Sequence, residues 1–274
     1  MAENLSIYLL GAVAARIDGR PVGRFRSAKT VALLGYLICE RRPVSRDFLA
    51  DLLWPDVPLT RARGLLRRSL HDLNHNLPGA ILSDYHAVQF NPACAAQTDT
   101  GRFEALRAAS DAASLEAAVA LCRGEFLEAL CLKNCPDFET WLTLEREYWE
   151  RRMIETLEHL LSSREEAADF GRAVETCWQI LMLEPWREDI YRRLMVLLAR
   201  TGNLWKALDV YKTCRHLLAE EMAIEPSDET RHLYDRIRDL ATHPDPTPDA
   251  TLPSLDPAHR GADEPETQER GPRS

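Results

Sequence analysis

Apolar and polar positions alternate along this chain in two different rhythms, and the change of rhythm marks out its parts. Across residues 59–77, Leu59, Ala62, Leu66, Leu70, Leu73 and Leu77 share one line of a helix at about 100° per residue, and Arg61, Gly64, Arg67, Arg68, His71 and His75 lie opposite. Thr60 is the expected N-cap, and Pro78-Gly79 ends the segment. Upstream, residues 7–10 and 13–17 read as short strands, with Asp18-Gly19 as a two-residue hairpin turn into Arg20-Pro21-Val22. A helix follows over 27–41, with Val31, Leu34, Leu37 and Ile38 inward, until Pro43 forbids its continuation. Ser45 caps a second helix that buries Phe48, Leu49, Leu52 and Leu53 and closes at Trp54-Pro55. After the basic helix, Ile81-Leu82 and Val88-Gln89-Phe90 flank SDYHA as a last hairpin, giving the order sheet, three helices, hairpin.

From residue 98 the spacing is helical throughout, with segments predicted over 98–109, 114–122, 136–163, 166–183, 188–199, 204–222 and 228–240. Phe170-Gly171-Arg172-Ala173-Val174 and Leu204-Trp205-Lys206-Ala207-Leu208 align with their alanines 34 residues apart, the period of tetratricopeptide repeats. Stacked helix pairs of that kind make a curved surface for a protein partner; an ordinary helical bundle is the plainer alternative. Trp178, Trp186, Trp205 and Tyr211 fall in or beside these helices and are expected in the core. Residues 241–274 hold seven of the sixteen prolines and almost no bulky apolar side chains, so they are predicted to be a disordered tail, whether linker or solubilising extension. The fold class is therefore mainly α, with an α+β head over 1–93, an all-α domain over 98–240 and a tail over 241–274.

Charge sharpens this division. The formal net charge is −9, yet residues 1–78 hold 12 Arg and Lys against 7 Asp and Glu, a net of +5 that leaves −14 for the rest. A basic head on an acidic body suits nucleic-acid binding by the head alone. The seven cysteines are odd in number and irregularly spaced, which argues against a disulfide framework. Cys131 and Cys135 fall at the spacing of one helical face, but no second pair sits at zinc-site spacing, so no metal or other cofactor is expected. With no apolar run of 18 residues and no basic leader in MAENLSIYLLG, the expected location is the cytoplasm, away from membranes. Neither a P-loop, a nucleophile elbow, HExxH nor a helix-opening GxGxxG occurs, and the abundant carboxylates sit beside basic partners on helical faces, so an enzyme is not expected.

The order of elements is that of a winged helix-turn-helix, and the leading sheet and the two-proline turn WPDVPLT resemble the OmpR-like variant. Over residues 5–240 the chain resembles the SARP-type regulators, an OmpR-like winged helix joined to a bacterial transcriptional activation domain. The residues that carry the likeness are Leu10-Gly11, Leu53-Trp54-Pro55 with Ala62-Arg63, Arg123-Gly124-Glu125-Phe126-Leu127, Trp141 with Glu145-Arg146, and Glu184-Pro185-Trp186-Arg187-Glu188. Tyr191 to Met195, Ala207-Leu208, Tyr211, Ile224-Glu225-Pro226 and Leu233-Tyr234 extend it. The resemblance implies a sequence-specific activator that binds double-stranded DNA at promoter repeats through residues 60–77, often as a homodimer, and recruits RNA polymerase. It also implies that the hairpin near 83–87 is a wing. This chain departs from the pattern in carrying Asn74-His75-Asn76 late in the recognition helix, no Lys or Arg in the wing, and Ala223 where relatives place glycine. Residues 1–274 show neither a receiver-domain pattern nor an ATPase pattern of the larger SARP-type proteins, so neither activity is expected of them.

Arg61, Arg63, Arg67, Arg68 and His71 are accordingly expected to face DNA, since guanidinium groups pair with phosphate oxygens or bidentately with guanine. Gly64 would permit close backbone approach. Arg63 lies nearer the apolar side and equally suits a bracing role. Lys29 and Arg46, near helix N-termini, are secondary candidates for phosphate contact or plain solvation. A basic face opposite an apolar one also describes a merely solvated amphipathic helix. The competing functional reading is an adaptor whose winged helix has lost sequence-specific DNA binding.

Overall fold

The computed structural model describes residues 5–242, and the chain forms two compact units, Met1–Leu160 and Leu161–Ser274. Nearly all of the tail expected over 241–274 lies outside the described residues.

The first unit opens with β1 (Leu5–Tyr8), β2 (Ala14–Ile17) and β3 (Arg20–Pro21), antiparallel in that order. Asp18 and Gly19 take φ of 51° and 77°, the two left-handed positions that a type I′ hairpin turn demands. Helix α1 (Ala28–Glu40) is capped by Ser27, whose Oγ accepts from Thr30 N at 3.1 Å, and ends where Arg41 turns left-handed. Ser45 caps α2 (Arg46–Leu53) by accepting from Phe48 N at 3.1 Å. It also belongs to β4 (Val44–Ser45), which pairs with β6 (Ala87–Phe90), so that β5 (Ile81–Ser83) and β6 form a three-stranded sheet ordered β4-β6-β5. Two residues after a proline show no periodicity, and this strand was not expected.

Helix α3 (Leu59–Asn76) is the basic amphipathic segment, with two corrections. Its N-cap is Pro58, not Thr60: the Pro58 carbonyl accepts from Arg61 N at 2.8 Å and Ala62 N at 3.0 Å, so the helix starts two residues earlier, without a side-chain cap. Leu59 is 43% exposed because the first residue of a helix has no further turn to cover it; Ala62, Leu66, Leu70, Leu73 and Leu77 are buried as expected. Phe48 also stays half outside, 6.1 Å from the Tyr36 ring.

The change of character near residue 98 does not divide two cores. Helices α4 (Asp99–Ala109), α5 (Ala112–Leu121) and α6 (Pro136–Glu166) follow, and Phe103, Phe126, Phe138, Leu142 and Trp149 share one apolar cluster with Leu33, Leu49 and Leu66. The seam is polar at its centre. Asp99, with a side chain wholly shielded from solvent, accepts from Leu9 N at 2.8 Å, Leu10 N at 2.9 Å and Thr100 N at 2.9 Å, with Arg123 Nη2 at 3.6 Å. Beside it Gly11 N donates to Glu125 O at 3.0 Å, while Arg123 N donates to Leu10 O at 3.0 Å and Leu127 N to Leu9 O at 2.8 Å. Gly11 sits at φ 118°, and a Cβ there would stand 3.2 Å from the Arg123–Gly124 backbone, which explains the glycine on both counts. Burial pushes the Asp99 carboxyl up, opposed by the hydrogen bonds from Leu10, Leu9 and Thr100 and by Arg123.

In the second unit α7 (Phe170–Leu183), α8 (Glu188–Arg200), α9 (Leu204–Met222) and α10 (Asp228–Thr242) each pack on the next. Ala173 and Ala207 are fully buried, as the 34-residue repeat requires of small residues between paired helices. Tyr211 is buried and stacks on Tyr234 at 4.2 Å. Trp178, Trp186 and Trp205 are not core residues: all three are exposed, Trp205 by 68%, because they lie on helix faces or a turn that no described element covers. Cys131 and Cys135 share no helix, since α6 begins at Pro136, and the Cys135 thiol donates to Leu53 O at 3.3 Å.

Two stability outcomes follow. Asp99→Ala leaves the Leu9 and Leu10 N–H groups buried without acceptors and should cost about 2–5 kcal/mol in urea unfolding. Ala223, at φ 54°, occupies a left-handed cap whose N–H bonds Leu218 O; Ala223→Gly should therefore raise stability by about 0.5–1 kcal/mol in the same assay.

Candidate nucleic-acid interface

The polar arc of α3 is solvent-facing, with Arg61, Arg63, Arg67, Arg68 and His71 all exposed. The second wall of the site comes from the start of α1, held against α3 by buried polar groups. Asp72, 4% exposed, accepts from Arg26 N at 2.9 Å and from Asn76 Nδ2 at 3.0 Å. Thr30 Oγ1 donates to Ser69 Oγ at 3.2 Å and also bonds Ser27 Oγ at 3.0 Å. Both Ser69 and Asp72 lie on the inner side of a helix read as apolar there, and these bonds are what make that burial tolerable.

Between the two helices lies a cleft of about 570 Å³, its rim set with Arg26, Lys29, Arg67, Arg68 and His71 and its floor containing Trp54 and Leu65. Lys29 Nζ stands 5.4 Å from the centre of the Trp54 ring, so an aromatic face holds the ammonium at the cleft wall. Four of the seven expected site residues, Lys29, Arg67, Arg68 and His71, meet in this one place. Arg61 lies on the same exposed arc outside the cleft.

Arg63 and Arg46 are engaged within the protein. Arg63 forms a bidentate pair with Asp47 of α2, Nε to Oδ1 and Nη2 to Oδ2 both at 2.6 Å. That hydrogen-bonded pair holds the Asp47 carboxyl below its ordinary range. Arg46 Nε donates to Asp84 O at 2.8 Å, and its backbone N–H donates to His86 O at 3.0 Å, so it holds the turn between β5 and β6. In that turn Asp84 Oδ1 accepts from His86 N and Ala87 N, both at 2.7 Å. Arg26 was not singled out from the sequence; the signal was there, in a basic residue directly before the Ser27 cap and close to Lys29.

Residues 92–238 match the family described as the bacterial transcriptional activator domain, over more than half of the chain. The chain belongs to that family. It is the one to which the SARP-type resemblance pointed, and bacterial transcriptional activator domain proteins similar to this one are transcriptional regulators. Regulatory protein AfsR of Streptomyces coelicolor is 26% identical over 241 residues, covering 85% of this chain and 24% of AfsR. The chain thus spans about a quarter of that relative's length. Transcriptional regulatory protein MoaR1 of Mycobacterium tuberculosis is 25% identical over 260 residues, covering 86% of this chain and 80% of MoaR1. The solved structure of Mycobacterium tuberculosis EmbR in complex with a low affinity phosphopeptide shares the fold, with a TM-score of 0.66 at 23% identity over 91% of this chain and 68% of EmbR. Among the described residues, no helix is long and apolar enough to cross a membrane.

The turn held by Arg46 makes a pH prediction. Hydrogen bonds from the Ala87 and His86 backbone push the Asp84 carboxyl below the ordinary aspartate range. A depressed folded value means that the brace is complete above the unfolded aspartate pKa of about 3.9 and is lost only as pH falls through the lower folded value. The Ala87 amide resonance should therefore show an acid transition centred below that ordinary value. A transition centred on the ordinary value would contradict the brace.

Proposed function

We propose that residues 1–93 bind double-stranded DNA through α3 and that residues 98–240 form the activation domain, which contacts RNA polymerase. The observation that carries the DNA reading is the convergence of Arg26, Lys29, Arg67, Arg68 and His71 on one cleft beside an exposed helix. Positive charge gathered in one cleft beside an exposed helix suits the phosphate backbone of a duplex. Arg67 and Arg68 are the principal contacts, Arg61 extends the arc, and Lys29 is held for a phosphate by Trp54. Gly64 supports the same reading, because a Cβ there would meet nothing within 4 Å and no internal packing calls for a glycine. Arg63 is assigned to bracing α3 on α2.

The exposed Trp178, Trp186, Trp205 and Met182 of the second unit support a protein partner for the activation domain, since large aromatics are favoured where a protein surface is to be covered. Pairing of two protomers on direct repeats belongs to the same reading.

Replacing Arg67 and Arg68 together by Ala should weaken binding to a duplex enriched by the full-length chain from a random library. The slope of log affinity against log salt should become shallower by about 1.8, two phosphate contacts' worth. Unchanged affinity and slope in a salt-series gel shift would sink the DNA reading and favour the adaptor.

A further inference from the structure

The cleft between α1 and α3 has an interior that phosphate contact does not explain. Its basic groups, Arg26, Lys29, Arg67, Arg68 and His71, stand at the rim, whereas Trp54 and Leu65 belong to an apolar floor. The polar groups of the walls are already bonded to one another. Ser27 Oγ accepts from Thr30 N at 3.1 Å and bonds Thr30 Oγ1, which donates to Ser69 Oγ at 3.2 Å. Asp72 takes Arg26 N at 2.9 Å and Asn76 Nδ2 at 3.0 Å, and Arg26 Nε stands 3.6 Å from its Oδ1, so the one carboxylate of the lining faces a guanidinium. Leu65 lies off the line of Leu66, Leu70 and Leu73 and is only half-buried, which leaves apolar surface inside the cleft that the core does not wholly cover. The volume of about 570 Å³ is that of a small-molecule pocket. Phosphates of a duplex would satisfy the rim alone and leave the floor without a partner.

We propose that this cleft binds a compact organic anion, an aromatic body carrying one acid group, and that its occupancy excludes duplex DNA from α3. The body covers Trp54 and Leu65, and Lys29, Arg67 and Arg68 hold the acid group at the rim. A planar ring system suits an indole floor edged by guanidinium planes, and it has few torsions to freeze on binding. A carboxylate, sulfonate or phosphate paired with those cations makes charge-assisted bonds, roughly twice as strong as neutral ones. The exclusion rests on the DNA reading above, since Arg67 and Arg68 cannot serve a duplex and a ligand together. The binding site itself rests only on the cleft.

The probe is 1-anilinonaphthalene-8-sulfonate, whose fused rings fluoresce on leaving water and whose sulfonate supplies the acid group. Titrated into the full-length chain, it should bind at a site weakened roughly tenfold by Lys29→Gln or by Arg68→Gln. Leu65→Gln should weaken it as well; where that variant lowers the unfolding midpoint, the two rim variants carry the result. N-phenyl-1-naphthylamine, which has the same rings without the acid, should bind roughly tenfold more weakly than the sulfonate. Sodium sulfate at matched ionic strength should not displace the probe. With the probe at about ten times its Kd, the apparent Kd for a duplex enriched from a random library should rise about elevenfold. Probe affinity unchanged in both rim variants would place the probe elsewhere and overturn the proposal. Displacement by sulfate would leave an adventitious ion only, and equal binding of the neutral amine would leave an apolar patch with no acid site; either overturns it. Duplex affinity unmoved by saturating probe would overturn the exclusion. A chain that binds duplex but no probe would overturn the ligand site and leave the DNA reading standing. One that binds the probe but enriches no duplex would leave the site standing and overturn that reading.

Discussion

The Asp99 carboxylate, buried where β1 runs out, is the contact on which the first unit depends. A strand that ends inside a core leaves backbone N–H groups without a ladder, and each must find an acceptor or lose the energy of leaving water. Asp99 supplies acceptors for two of them, at Leu9 and Leu10, from the first turn of α4. The loop around Arg123 to Leu127 takes up the neighbouring groups, and Gly11 lets the two backbones touch. The leading sheet is thus tied to helices some 90 positions further along, and α1 and α3 acquire their footing from a core that includes Phe103, Phe126 and Phe138.

Against that fixed frame the cations divide by what lies within their reach. Arg63 finds Asp47 one helix away, and Arg46 finds the carbonyls of the wing turn. Arg67 and Arg68 leave the outer side of α3 toward solvent, and Arg26 and Lys29 face them from the start of α1. The inner side of α3 is equally specific. Ser69 and Asp72 spend their polarity on Thr30 and on the Arg26 backbone, which sets the width of the cleft that the cations share. Buried polar bonds define the opening, and exposed charge fills its rim.

Much of this was legible because it is local. Hairpin chemistry at Asp18-Gly19, the serine cap at 45, the leucine line of α3 and the buried alanines at 173 and 207 all declare themselves within a few residues. What escaped was set by partners far away in sequence. Leu10-Gly11 and Arg123-Gly124 were recognisable as separate motifs, and only the fold reveals them as two halves of one joint. The cleft escaped for the same reason, since Arg26 belongs to it only because Asp72, 46 positions later, takes its N–H. The bracing alternative for Arg63 was visible in its angle on the helix, whereas Arg46 gave no such sign. The tryptophans of the second unit illustrate the converse: helical spacing places a residue on a face without saying whether anything covers it.

The joint at Gly11 also bears on the order in which the molecule is made. Chains leave the ribosome N-terminus first at about 5–20 residues per second, so β1 and α3 emerge well before Asp99 and Leu127. For on the order of ten seconds the head exists with the N–H groups of Leu9 and Leu10 still seeking partners and the apolar backs of α1 and α3 still uncovered. The basic surface is synthesised first, but it is finished only by the chain that follows it. A nascent or prematurely terminated head would therefore present its arginines on an unsettled scaffold, and a complete basic surface arises only in molecules whose translation has passed the end of the joint.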